Sequence, residues 1–134
     1  MSTARASLIM AMGAILAGCA TPPAQAPVTP GTGLSELMER PAERALVEGI
    51  RAYDDGQYAQ AEAALKRAVG GALSNPRDRV TAHKLIAFIA CTSNRTSECE
   101  AAFRAARQAD PAFALSRSEA GHPLWGPVYR KTLP

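Results

Sequence analysis

Two apolar runs at helical spacing, divided by a short polar break, occupy Asp78–Pro111 and leave this stretch little choice but a pair of antiparallel helices. Val80, Leu85, Ile86, Phe88 and Ile89 fall in the first run, and Cys99, Ala102, Phe103 and Ala106 in the second. Such spacing gathers apolar side chains on one side of each helix. The break is Asn94-Arg95-Thr96-Ser97, where Thr96 or Ser97 is expected to cap the second helix by accepting from an otherwise unpaired N–H. Asp110-Pro111 then ends it, because the residue before a proline is pushed out of the helical region.

The order of residue types resembles a tetratricopeptide repeat (TPR), a helical hairpin of about 34 residues. Its signature runs tryptophan, leucine-glycine, tyrosine, alanine, phenylalanine and a closing proline. With the proline on Pro111, Ile86-Ala87 stand at the leucine-glycine pair, Ala90 at the tyrosine, Cys99 at the alanine and Phe103 at the phenylalanine. Ala106 takes a further small site, and His83 the tryptophan position. What is shared has a steric reason: small residues where two helices touch, and an aromatic ring to fill the space beyond them.

Upstream, Pro41 and Glu43 suit the first turn of a helix over Pro41–Asp54, proline by its fixed backbone and the carboxylate by the helix dipole. Asp55-Gly56-Gln57-Tyr58 reads as a turn, and Tyr58–Ala72 as a second helix. Gly49, the Gly56-Gln57-Tyr58 turn, Ala61, Leu65 and Ala68 resemble the corresponding sites of a first TPR unit. Ala61 and Cys99 hold equivalent sites 38 residues apart, and the excess over the usual period is assigned to Gly70–Pro76, where glycine, asparagine and proline break the helix. The expected fold is therefore all-α: two TPR-like helical hairpins within a domain spanning residues 34–134. Two such units bury too little on each other to stand alone, so caps are expected. Leu34, Leu37 and Met38 supply one. A C-terminal capping helix from Phe113 to about Glu119 supplies the other, followed by an irregular stretch to Pro127 and a final turn over Val128–Leu133.

Residues 1–18 combine Arg5, an apolar run from Leu8 to Leu16 and the sequence Leu16-Ala17-Gly18-Cys19. That is the layout of an export signal, too short to span a bilayer stably. Leu-Ala-Gly-Cys resembles the lipobox of bacterial lipoproteins, which implies cleavage before Cys19, acylation of Cys19 and a membrane anchor. An ordinary secretory signal with an incidental cysteine is the alternative. Ala20, in place of aspartate, implies by the same resemblance sorting to the outer membrane of a Gram-negative bacterium, facing the periplasm. Residues 19–33 are rich in proline, alanine and threonine without periodicity and read as a tether, with a reach of roughly 30–40 Å.

Without residues 1–18 the chain holds 14 basic and 12 acidic side chains, a formal charge of +2. The charges are interspersed, and no basic run is interleaved with aromatics, so nucleic acid is a poor partner. No nucleophile elbow, phosphate loop, paired-carboxylate motif or metal-ligand spacing stands out. The expectation is a non-enzymatic protein with no cofactor, no metal and no small-molecule substrate. His83, at an aromatic position of the repeat, reads as a packing residue, and His122, before Pro123, as a loop-fixing one.

In the repeat register Cys91 ends one helix and Cys99 lies early in the next, facing each other across the turn, which implies a disulfide after export. Two independent buried thiols are the alternative, and a redox-catalytic pair is disfavoured because the spacing is not Cys-x-x-Cys. By the same resemblance the inner face of the stack is lined by Leu46, Ile50 and Tyr53 from one unit and by Lys84 and Phe88 from the other. Such a face suits a protein partner's peptide, or else it is filled by the chain's own Trp125 segment. The tail, Asp110-Pro111-Ala112-Phe113 and then Glu119 to Pro127, is similar to TPR lipoproteins associated with type VI secretion clusters. The expected role is an envelope adaptor, an accessory of a secretion-type machine. A regulator of peptidoglycan-acting enzymes and a pilotin-like assembly lipoprotein are the alternatives.

Overall fold

The computed structural model describes residues 40–134. The expected export signal, Cys19, the expected tether and the expected cap at Leu34, Leu37 and Met38 lie outside the described residues. The described part is all-helical, with six helices and no strand. They are α1 (Pro41–Asp54), α2 (Tyr58–Gly70), α3 (Pro76–Thr92), α4 (Thr96–Ala109), α5 (Arg117–Ala120) and α6 (Gly126–Lys131). Helices α1 and α2 form one packed pair and α3 and α4 another, and the pairs meet mainly through α2 and α3.

Each hairpin turns in the same way. After α1, Gly56 takes a left-handed backbone at φ +73°, and the N–H groups of Gln57 and Gly56 return to the carbonyls of Ala52 and Tyr53. After α3, Asn94 does so at φ +60°, with Arg95 and Asn94 returning to Ala90 and Cys91. Both are Schellman closures, which satisfy carbonyls left over at a helix end. Gly56 and Asn94 are 38 residues apart, as are Ala61 and Cys99, Leu65 and Phe103, and Ala68 and Ala106. All six of the latter are fully buried, so the two hairpins use one packing plan at one offset. Gly49 and Ala87 continue it; a Cβ on Gly49 would fall 2.7 Å from Leu65 Cγ.

α3 is the central helix. Ala87 through Cys91 are buried without interruption, because α2, α4 and α1 each cover part of its circumference. A helix that is apolar all round belongs inside a fold. It starts earlier than the apolar spacing implies: Pro76 is its first residue, and the Asn75 side chain accepts from Arg77 N–H. Leu73, only 2% exposed, plugs the connection before it, and Arg79 donates to the carbonyls of Leu73 and Ser74.

Two expectations are corrected. Neither Thr96 nor Ser97 caps α4: Arg95 occupies the cap position and no side chain caps it. The Schellman closure at Asn94 places Arg95 there, and its guanidinium reaches both Glu62 oxygens on α2, at 2.7 and 2.8 Å, and Glu98 at 2.8 Å. Lys66 adds a fourth member at 2.6 Å from Glu62. The second correction concerns Phe113–Glu119, which is not a continuous helix. Phe113 and Leu115 are buried while Ala114 and Ser116 are exposed, the two-residue alternation of an extended chain. A helix would turn these two side chains to different sides. Ser116 and Glu119 then form a reciprocal capping box, which starts the short α5 only at Arg117. The capping is done by α6, packed on α4 with Tyr129 edge-on to Phe103 and with Val128 also buried. Gly126 makes this possible, since a Cβ there would fall within 3.0 Å of the Ala120 carbonyl oxygen.

Candidate functional site: the Lys84–Phe88 face of α3

Lys84 and Phe88 are one helical turn apart and share a face of α3. The Lys84 ammonium lies 5.7 Å from the Phe88 ring centre, within cation–π range. Phe88 is 4% exposed, and what covers it is Trp125, stacked at 4.2 Å with planes 21° apart. His122 stacks on the same indole at 3.3 Å and 3°. Its Nδ1 accepts from Leu124 N–H, and this bond fixes the loop as expected for His122. On the core side Phe88 meets Phe103 edge-on, Phe103 meets Tyr129, and Tyr129 meets Phe113. A run of aromatic contacts thus connects the C-terminal loop to the centre of the second hairpin. The Tyr129 hydroxyl accepts from Leu115 N–H at 3.2 Å in the buried interior, fixing the extended strap.

Lys84 Nζ donates to Glu119 Oε1 at 2.7 Å, and each side chain keeps 28% of its exposure. Burial works to raise the Glu119 carboxyl, but hydrogen bonds from Lys84 and Ser116 outweigh it and hold the group below the ordinary range. Trp125 Nε1 donates to the Glu119 carbonyl at 2.8 Å. Tyr53 on α1 faces the same region: burial first, then Tyr58, Asp54 and Glu119, push its phenol upward. Tyr58 packs edge-on against Tyr53 at 5.5 Å.

The residues expected to line a groove are therefore unequal. Leu46 and Phe88 are buried in the core, whereas Ile50 and Tyr53 are half-buried against it and Lys84 is half-exposed. Of the two occupants considered, the chain's own Trp125 segment sits on Phe88. His83 is half-buried on α3, where burial and then Arg79 lower its pKa. Among the described residues no group of His, Cys, Asp and Glu is placed to hold a metal ion. The sulfurs of Cys91 and Cys99 lie at bonding distance, 2.06 Å, with Cα atoms 5.2 Å apart. The pair joins the end of α3 to the first turn of α4.

Chemically, the site offers aromatic stacking and one lysine cation, a set suited to non-covalent recognition. The Glu119 partner of Lys84 was missed in the sequence, although Ser116-x-x-Glu119 carries the capping-box pattern that fixes where Glu119 points. No helix among the described residues is long and apolar enough to cross a membrane. Comparison of the chain with protein-family models, with curated proteins and with solved structures found no match.

Proposed function

We propose that this chain is a lipid-anchored, TPR-like adaptor of the Gram-negative envelope, a non-enzymatic protein that holds a partner polypeptide near the outer membrane. One observation carries the reading: an irregular stretch of polypeptide is seated on α3 by a ring stack and a lysine–carboxylate pair. A face that holds one peptide in this way has the chemistry to hold another. The matched hairpins at a 38-residue offset support the repeat resemblance, and Leu16-Ala17-Gly18-Cys19 supports the anchor. The tail pattern favours a secretion-type machine as the setting.

A photo-crosslinking residue at Tyr53, compared with one at exposed Ala101 on α4, tests the adaptor in cells. A discrete protein adduct from position 53 alone is expected. Equal adducts from both positions, or none, refute the reading. Cys19→Ser is expected to abolish incorporation of labelled fatty acid, and persistent labelling would remove the anchor.

A further inference from the structure

The segment from Ser116 to Gly126 is fastened firmly at its two ends and loosely between them. Phe113 and Leu115 are buried just before it, and Val128 and Tyr129 just after. Between these anchors its holds on α3 are the Trp125–Phe88 stack and the Lys84–Glu119 pair. A pair of that exposure adds little stability. Its other side-chain bonds are the internal capping box, Trp125 to the Glu119 carbonyl and Leu124 to His122, and one exposed bond of 3.3 Å from Arg130 on α6 to the Ala120 carbonyl. The segment therefore has its own local structure and can lift as a unit while both hairpins stay packed.

We infer that residues 116–126 are an internal mock ligand on the Lys84–Phe88 face, displaced by a partner peptide that presents an aromatic ring to Phe88 and a carboxylate to Lys84. This rests on the adaptor reading and specifies its partner. The occupant's chemistry follows from the face itself. Lifting the segment uncovers an aromatic ring and leaves a lysine without its carboxylate. An acidic, aromatic segment restores both contacts, and a basic one would meet Lys84 with like charge. Because the internal ligand is tethered, its effective concentration is on the order of millimolar. A partner binds with an apparent affinity reduced by the fraction of molecules that are open.

Trp125 is the single tryptophan of the chain, so its fluorescence reads the position of the segment. The probe is a synthetic peptide with the sequence of residues 116–127 carrying Trp125→Phe, which does not emit at tryptophan wavelengths. Added to the full chain, it is expected to shift Trp125 emission to the red and to raise its quenching by acrylamide, both saturably. A dye-labelled copy should bind the Trp125→Ala chain at least about tenfold more tightly than the parent chain. Binding should be lost with Lys84→Glu in the protein or Glu119→Lys in the peptide. Unchanged emission at saturating peptide overturns the inference, as does equal affinity for the parent and a Trp125→Ala chain that keeps its helical circular dichroism. If Trp125→Ala does not fold, Glu119→Lys in the full chain, which sets like charge against Lys84, replaces it: greater acrylamide access to Trp125 supports a displaceable segment, and unchanged access refutes it. A concentration-dependent dimer of the Trp125→Ala chain would mean a second copy supplies the segment, also against the proposal. Should the peptide fail while Tyr53 still crosslinks in cells, the mock ligand falls and the adaptor stands. Failure of both removes both.

Discussion

Glu62 is expected to hold the two hairpins together in a pH-dependent way. Its carboxylate accepts from both Arg95 amino nitrogens and pairs with Lys66, and its side chain is 15% exposed. Hydrogen bonding to Arg95 and, after an opposing effect of burial, to Lys66 lowers its pKa from 4.5 to about 2. The folded-state pKa lies below the unfolded one, so the stabilisation is present in full above about pH 4.5 and is lost as pH falls through about 2. Two and a half pH units would set a ceiling of about 3.4 kcal/mol. Arg95 is 32% exposed and Lys66 55%, so solvent screening brings the expected value to about 1–2 kcal/mol. Urea denaturation of the parent and of Glu62→Gln at pH 7, 4.5, 3 and 2 measures it. The gap between the two should be about 1–2 kcal/mol at pH 7, hold to pH 4.5, and close towards pH 2. Comparing the pair cancels the titration of other carboxylates. A gap that is absent at pH 7, or that stays constant down to pH 2, would show that the Glu62 charge does not link α2 to the α3–α4 turn.

Phe88→Ala removes a ring held between Trp125 and Phe103, and is expected to cost about 3–5 kcal/mol. For a domain of this size that lowers the melting temperature by about 15–25 °C. The double variant with Trp125→Ala should be non-additive, and two small independent shifts would mean the rings do not touch. Reduction of the Cys91–Cys99 pair is expected to cost about 2–3 kcal/mol. Linked peptides in an unreduced digest check the bond, and free thiols on both cysteines of unreduced protein would end the claim. Gly126→Ala is expected to destabilise by about 1–3 kcal/mol, because backbone at Ala120 must move, and a neutral melt would contradict that packing.

Local chemistry made α1 legible to the residue, since Pro41 suits a first turn and Asp55-Gly56 a closing one. The start of α3 was not. The stretch read as a helix break, Gly70 to Pro76, also holds the start of α3 at Asn75-Pro76, and only the structure shows Asn75 accepting from Arg77. At Phe113-Ala114-Leu115 three residues are too few to separate a two-residue from a 3.6-residue period, and burial of Phe113 and Leu115 decides for the extended form. The Glu62–Arg95 link spans 33 residues and leaves no local trace. Trp125 over Phe88 was one of two alternatives for the face, because repeat register places Phe88 there but says nothing of how the tail returns.

The cross-link between Cys91 and Cys99 also breaks the equivalence of the two hairpins. At the same 38-residue offset the first hairpin carries Tyr53 and Ala61, which cannot be joined. In native-state hydrogen exchange the amides of α3 and α4 should then report the deepest opening of the molecule, and those of α1 and α2 a shallower, separate one. The proposed recognition face would straddle that boundary, with Tyr53 on the half expected to open first and Lys84 and Phe88 on the half expected to open last.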